Sequence, residues 1–345
     1  MKNNYINLLR GLAIFLMLWG HCIQYCIPNG IDFFENTIFK IIYSFHMPLF
    51  MLVSGYLFYF SAEKRTLKEL LAHRCGGLIK IIISCGILIF FMTTALFSIF
   101  NGHFMVVFNG QWLPSLSGLW FIWSVLSASL ILAIVCKTIK KLWLQIIILL
   151  LGSVVVLLFP NGTNNFFMYP YYIIGFYFAK YKDSIPKKLL SVKYSSLILF
   201  PFLMFFFRKE HLLVEETLFQ SIEIDLFRWF IGLIGSLCVI VLMQLLYDFI
   251  IRKNDKFFVW KATAYLGEKS LQIYALSVIF LSSYLPKLYS LIINLLPSID
   301  TFFAQYIWVY NLGFTVVLAI LYCIGISIII KLLEKTKISP ILFGK

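Results

Sequence analysis

Long runs of apolar residues, separated by short polar segments, repeat along almost the whole of the 345-residue chain. Each run approaches the length of about 20 residues that an α-helix needs to cross a bilayer. We therefore predict an all-α polytopic membrane protein with about ten transmembrane helices. The predicted spans cover residues 5–27, 37–60, 79–100, 116–136, 143–159, 165–179, 194–207, 226–247, 271–291 and 303–333.

The sixth and seventh spans are the weakest, with apolar cores of roughly 14 residues that would also suit re-entrant or interfacial segments. Removing both would leave the ends of the chain on the same side, but it would place Lys182, Lys187 and Lys188 outside, which the charge rule disfavours. We therefore keep both spans. The chain has no linker rich in Gly, Ser or Pro and no long polar block, so we predict one membrane domain over residues 1–345.

The composition, 61% hydrophobic and 13% charged residues, lies far from the average of soluble domains. The net charge of +14 would suit a nucleic-acid partner, but the basic residues concentrate in alternate predicted loops. This distribution follows the positive-inside rule and places both termini in the cytoplasm. We expect no nucleic-acid partner, and we expect contact with membrane lipid, with anionic headgroups or phosphate as a second use of the charge.

Two ionisable residues, Arg10 and His21, lie inside the first predicted span. Eleven residues make nearly three helical turns, so both side chains share one face and lie about 16 Å apart along the axis. Asn7 and Gln24 extend this polar stripe at its two ends. Taken alone, Arg10 could snorkel to the interface and His21 could bond a neighbouring helix. Two costly ionisable groups on one face instead favour a functional site.

A second intramembrane histidine, His46, precedes Pro48 by two residues in the second span. This span runs back through the membrane, so His46 and His21 have similar depths and could meet across the helix pair. Pro48 removes a backbone donor and should kink the helix, and such kinks are tolerated at membrane depth mainly where they line a cavity. A histidine that only bonds a neighbouring helix is the alternative.

A basic segment follows the second span and contains Arg65, Lys68, Arg74 and Lys80. Arginine binds phosphate through paired hydrogen bonds, so this segment could clamp phosphate groups on the cytoplasmic side. On charge alone, ordinary positive-inside residues are the simpler explanation.

Other candidate groups are less specific. His103 and Trp112 lie in the third predicted loop, which has no basic residue and should be external. His103 could contact a substrate. Trp112, Trp120 and Trp123 form either an aromatic belt at the interface or a platform for a sugar. The seven cysteines are scattered mostly within spans and are expected to be buried small hydrophobic residues. No segment has the spacing of a metal site, so we predict no metal.

Four motifs resemble those of the acyltransferase-3 family of integral membrane proteins. The Arg10–His21 spacing is similar to the family's signature in the first helix, and FHMPLFMLVSGY at 45–56 is similar to its motif in the second. LWFIW at 119–123 and LGEKSLQIY at 266–274 resemble later landmarks. The resemblance covers most of the chain. The FHMPLF sequence is similar to that of the fucose O-acetylase-like branch among polysaccharide O-acetyltransferases.

This resemblance implies transfer of an acyl group, usually acetyl, from acyl-CoA to a hydroxyl of an extracytoplasmic glycan or lipid-linked sugar. It implies that Arg10 and His21 are the essential pair and that Arg74 is linked to CoA. Two positions depart from the family pattern. Asn7 stands where an aspartate is frequent, and the Leu276–Ser277 pair stands where many members carry a histidine.

On this basis we expect acetyl-CoA as the donor, bound at the cytoplasmic mouth with its pantetheine arm passing Arg10. His21 would act as general base on the acceptor hydroxyl, or would carry the acyl group itself. His46 or a backbone amide near Pro48 would stabilise the oxyanion. The candidate catalytic residues are His21, Arg10 and His46. The candidate donor contacts are Arg74, Arg65, Lys68 and Arg10.

Two other functions stay open. Buried charge, kinked helices and an aromatic outer mouth also suit a transporter or flippase of a lipid-linked sugar, although no inverted repeat is evident. The departures at Asn7 and Ser277 would also suit a catalytically inactive member of the family. In each case we expect a multi-pass protein of the cell inner or plasma membrane, and the oligomeric state, the acceptor and the acyl length stay open.

Overall fold

The computed structural model of the protein describes residues 2–101, 117–212, 222–251, 257–336 and 339–343. Within these ranges all regular structure is helical. The helices of the first half are α1 (Lys2–Tyr25), α2 (Thr37–Lys64), α3 (Leu67–Leu70), α4 (Gly76–Asn101), α5 (Trp120–Thr138), α6 (Leu142–Val155) and α7 (Gly162–Tyr181). Those of the second half are α8 (Lys187–Ser191), α9 (Ser196–Met204), α10 (Ile222–Leu246), α11 (Phe258–Glu268), α12 (Ser270–Leu295), α13 (Pro297–Gln305), α14 (Ile307–Val309), α15 (Thr315–Glu334) and α16 (Ser339–Phe343).

Six helical stretches among the described residues are long and apolar enough to cross a membrane. They are Asn4–Tyr25, Thr37–Lys64, Leu67–Met92, Trp120–Thr138, Glu223–Phe249 and Ile307–Glu334. Leu142–Leu158 and Val192–Met204 are apolar but shorter, and they correspond to the fifth and seventh predicted spans. The all-helical membrane character is confirmed, whereas the number of ten spans and the cytoplasmic position of the termini stay predictions.

The chain divides into two compact units, each built from two separate segments. The first unit is Met1–Leu49 with Pro186–Leu332, and the second is Phe50–Ile185 with Leu333–Lys345. The border between Leu49 and Phe50 lies inside α2, one residue beyond Pro48, and α2 runs through this proline without a break. Whether the chain functions as the single domain that we predict from its sequence stays open.

In the first unit, α1 packs along α11 and α12. Two glycines permit the close approach of α1 and α11. A Cβ atom at Gly11 would fall on the carbonyl oxygen of Thr263, and one at Gly267 would fall on the carbonyl oxygen of Asn7. Because a backbone oxygen cannot move aside as a flexible side chain can, these positions admit only glycine at this spacing.

In the second unit, α7 packs against α5 and against the part of α2 that follows Pro48. Buried polar pairs join α5 to α7. The Ser124 hydroxyl donates to Asn165 Oδ1 at 2.7 Å, and the hydroxyls of Ser129 and Tyr172 form a hydrogen bond with each other, also at 2.7 Å. Gly55 of the FHMPLFMLVSGY motif lies directly on the backbone of Tyr172. This motif glycine is therefore a point of helix contact.

Two sequence predictions of local structure are wrong. Residues 258–268 were expected in a loop, yet they form α11, which is too short and too polar to be recognised as a span and is stabilised by packing on α1. The tenth span was expected to be continuous over 303–333. The helix instead breaks at Tyr306, which has φ −114° and ψ 64°, and resumes at Ile307.

Candidate active site

The His21 ring lies against two hydrogen-bonding groups in the first unit. Its Nδ1 is 3.0 Å from Oε1 of Gln24, which lies three residues further along α1. The same nitrogen is 3.1 Å from the hydroxyl of Tyr43 on α2. Tyr43 and Gln24 are also 3.5 Å apart, between the hydroxyl and Oε1. His21 Nδ1, Gln24 Oε1 and the Tyr43 hydroxyl therefore form a closed triangle of contacts.

Aromatic rings complete the surroundings of His21. Tyr25 stacks on the imidazole with ring centroids 5.7 Å apart and planes inclined by 13°. Tyr43 meets the imidazole edge-on, at 6.0 Å and 90°, and is itself stacked on Phe39 at 3.9 Å. His21 as a whole residue is partly buried, and these contacts fix one side of its ring.

His46 is almost completely buried, with 2% of its surface exposed. Its Nδ1 donates to the carbonyl oxygen of Ile42, one turn earlier on α2, at 2.8 Å. Its ring lies 4.7 Å from that of Tyr43. Both intramembrane histidines therefore contact Tyr43. This arrangement agrees with the expectation that His21 and His46 lie close to each other.

Arg10, the other end of the polar stripe on α1, contacts the first residue of α12. Its Nη2 donates to the hydroxyl of Ser270 at 2.8 Å. Ser270 is 3% exposed and lies within the LGEKSLQIY motif. The structure thus joins two of the sequence motifs in one contact.

A buried polar network holds α1 to the last long helix beside this site. Trp19 Nε1 donates to the Thr315 hydroxyl at 2.9 Å, and Tyr310 donates to the carbonyl of Ile23 at 2.8 Å. Asn36, just before α2, donates to Asn311 Oδ1 at 2.8 Å. Asn311 lies in the π-helical turn Tyr310–Phe314, a local form that is frequent at functional sites.

Of the candidate donor contacts, Arg74 lies in the second unit and is the most enclosed. It belongs to a second π-helical turn, Leu71–Cys75, and interacts with the hydroxyl of Tyr172. Its Nε is buried, and no described residue accepts a hydrogen bond from it. A buried donor without an acceptor is costly. Arg74 therefore has capacity for a ligand with acceptor oxygens.

Arg65 and Lys68 differ from Arg74 because their side chains are exposed. Arg65 precedes the capping box that starts α3, in which Thr66 and Glu69 exchange hydrogen bonds, and Lys68 lies within it. The exposed Lys80 lies on α4. The predicted site residues thus divide between the units. Arg10, His21 and His46 belong to the first, and Arg65, Lys68 and Arg74 belong to the second.

Three residues of this arrangement escaped sequence reasoning: Tyr43, Tyr25 and Ser270. A signal existed for Tyr43, because a residue three positions before His46 lies on the same face of a helix. Ser270 could have been found only as a member of its motif. His103 and Trp112 lie outside the described residues, while Trp120 and Trp123 form the first turn of α5.

The residues at the two departures from the family pattern take part in packing within the first unit. Ser277 is fully buried in α12, and its hydroxyl donates to the carbonyl of Tyr274 at 2.7 Å. Leu276 is also buried. Asn7 contributes its backbone to the contact with Gly267.

Among the residues that the structure describes, no group of three or more His, Cys, Asp or Glu side chains could hold a metal ion.

Comparison with known proteins assigns the chain to a family. The family model described as an acyltransferase domain matches residues 3–331. Nodulation protein NolL of Sinorhizobium fredii is 29% identical over 208 residues, which are 56% of this chain and 53% of that protein. Nodulation protein NolL of Mesorhizobium japonicum is 30% identical over 186 residues, which are 50% of this chain and 46% of that protein.

The chain thus spans about half the length of the curated relatives it matches. No solved structure matches it. The family model extends over both compact units and includes all four motifs. Because this match covers nearly the whole chain, the protein belongs to the acyltransferase-3 family of membrane acyltransferases.

Proposed function

We propose that this protein transfers an acyl group, acetyl in the first instance, from acyl-CoA to a hydroxyl of an extracytoplasmic glycan or lipid-linked sugar. Family membership supports acyl transfer. The observation that carries the proposal furthest is the arrangement of groups around His21. Its Nδ1 is engaged by Gln24 and Tyr43, the residue is partly buried, and Arg10 lies on the same helix. Histidine is the side chain that enzymes use most often for proton transfer.

The proposed reaction is an attack by the acceptor hydroxyl on the thioester of the donor. His21 Nε2 takes the proton from the acceptor hydroxyl, and the oxygen attacks the thioester carbonyl carbon. The carbon–sulfur bond then breaks, and the CoA sulfur leaves with the proton that His21 holds. In the covalent variant, Nε2 attacks the thioester carbon first, the carbon–sulfur bond breaks and the CoA thiolate leaves. The acyl-histidine then passes its acyl group to the acceptor hydroxyl, whose proton goes to the thiolate. Both routes yield an ester and free CoA.

Arginine contacts account for donor binding in this proposal. Arg74 offers a buried donor without an acceptor, and a CoA phosphate oxygen is an acceptor of the right kind. Arg65 and Lys68 supply further positive charge from exposed positions. Arg10 contributes a charged donor beside Ser270, suited to a phosphate or a pantetheine amide.

Thermal unfolding of the purified protein in detergent, with and without acetyl-CoA, tests donor binding without knowledge of the acceptor. A ligand at 100 times its dissociation constant should stabilise the fold by about 2.7 kcal/mol. We expect this shift in the wild type and in Lys141→Ala, a matched control at an exposed lysine of the second unit. We expect its loss in Arg74→Ala.

The absence of any shift in folded wild-type protein at millimolar acetyl-CoA would overturn the proposal. It would leave a flippase as the better reading, since a flippase needs no acyl donor. A shift without thiol release in the presence of acceptors would instead favour an inactive member of the family.

A further inference from the structure

We infer that Gln24 and Tyr43 are positioning residues that keep the proton of the neutral His21 ring on Nδ1 and leave Nε2 as the nitrogen that meets substrate. What Nε2 then does rests on the proposed function. The position of the proton, however, is a property of the protein without substrate and can be measured on its own.

The contact between Gln24 and His21 fixes which ring nitrogen carries the proton. An amide oxygen only accepts hydrogen bonds, and the oxygen of Gln24 lies 3.0 Å from Nδ1. The proton must therefore sit on Nδ1 for this contact to be a hydrogen bond. The Tyr43 hydroxyl agrees with this assignment, because its oxygen can accept from Nδ1 at 3.1 Å while its own proton points to Gln24 Oε1 at 3.5 Å.

The other ring nitrogen of His21, Nε2, then carries the lone pair. A neutral imidazole carries one N–H and one lone pair, so a proton held on Nδ1 leaves the lone pair on Nε2. The structure gives Nε2 no hydrogen-bond partner among the described residues. A lone pair at this nitrogen is what a general base or a nucleophile needs, and the opposite tautomer would present an N–H that can do neither.

Gln24 and Tyr43 are themselves held in place beside His21. Gln24 is one turn from His21 on α1, so their relative position is set by the helix itself. The Tyr43 ring is held between neighbours, stacked on Phe39 at 3.9 Å and 4.7 Å from His46. Both positioning groups belong to the same compact unit as His21.

The same reasoning changes the role expected of His46. Its Nδ1 donates to a carbonyl oxygen, which can only accept. A neutral His46 therefore presents a lone pair at Nε2, and it could stabilise an oxyanion only after taking up a second proton. Its contact with Tyr43 makes it a support for the positioning residue.

Nitrogen NMR of protein labelled in its histidine rings tests the inference directly, in detergent and without substrate. The His21 signals are assigned by their disappearance in His21→Ala. We expect protonated Nδ1 and bare Nε2 in the wild type, and a mixture or the reverse in the Gln24→Leu, Tyr43→Phe double variant. Tyr25→Phe, which removes a hydroxyl that does not touch Nδ1, should keep the wild-type pattern. A proton on Nε2 in the wild type, or an unchanged pattern in a folded double variant, would overturn the inference.

Kinetics of acetyl transfer give a second readout. Gln24→Leu should lower kcat by about 10- to 100-fold, by analogy with the loss seen when a partner that orients a metal-bound histidine is removed. Its KM for acetyl-CoA should stay within about twofold of wild type, since Gln24 is proposed to act through His21 and not on the donor. Gln24→Glu, which keeps an acceptor oxygen at this position, should restore most of kcat. If wild-type protein transfers no acyl group, the proposed function fails, and the NMR result still decides the position of the proton.

Discussion

The guanidinium of Arg10 donates to the hydroxyl of Ser270 at 2.8 Å, which ties the first helix to a residue 260 positions later in the chain. An arginine in an apolar helix is costly unless its charge is paired or bonded. Ser270 meets part of this need and also begins α12. The contact therefore explains in physical terms why two distant motifs occur in one chain.

Replacing Ser270 by alanine should destabilise the protein by about 1.5–3 kcal/mol, because the lost hydrogen bond has a charged donor. Ser277→Ala is the matched control, since this serine lies buried on the same helix and bonds only a neutral backbone carbonyl. Its cost should be about 0.5–1.5 kcal/mol. Unfolding midpoints of the two variants in the same detergent check the order, and equal losses would contradict it.

Replacing Gly267 by alanine should destabilise the contact between α1 and α11. The added methyl group would fall on the Asn7 carbonyl oxygen, and overpacking of this kind costs about 1–3 kcal/mol or more. Gly325→Ala on α15 meets nothing within 4 Å and should be neutral or stabilising, because alanine favours helix. Thermal unfolding of both variants is the measurement, and a Gly267→Ala protein as stable as wild type would show that α1 and α11 are further apart.

The segment around His211 should make stability sensitive to acid. Burial lowers the pKa of His211 below its ordinary value of 6.5, and its ring is packed between those of Phe207 and Phe227. Below pH 6.5 the unfolded chain takes up a proton that the folded state resists. This contribution to stability is therefore present above pH 6.5 and is lost as the pH falls through the lower pKa of the folded state.

His211→Phe removes this titration and keeps an aromatic ring in place. Between about pH 7.5 and about pH 5.5 the melting temperature of the wild type should fall further than that of the variant. Parallel curves for the two proteins would assign the acid sensitivity to other groups.

Sequence reasoning could identify the polar stripe on α1 because helical geometry is local. The face shared by Arg10, His21 and Gln24 follows from the 100° turn per residue, and in the structure His21 contacts Gln24. The rest required tertiary structure. Tyr43 reaches Nδ1 only because α2 packs beside α1, and no spacing within one helix reports that contact.

The missed helix α11 shows the same limit for the fold. Its sequence is short and carries a lysine and a glutamate, so its hydropathy resembles that of a loop. Its helical state depends on burial against α1, where Gly11 and Gly267 allow close contact of the two backbones. In short helices, packing of this kind contributes more than intrinsic propensity.

The account depends most on His21, and one comparison tests it directly. Radiolabelled acetyl-CoA is incubated with purified wild type, His21→Ala or His211→Phe, together with the cell-envelope glycan and lipid fraction of the source organism. The account predicts label in the acceptor fraction and equal release of free CoA with wild type and His211→Phe, and a loss of about 10²- to 10⁴-fold with His21→Ala. Transfer by folded His21→Ala at the wild-type rate would contradict it.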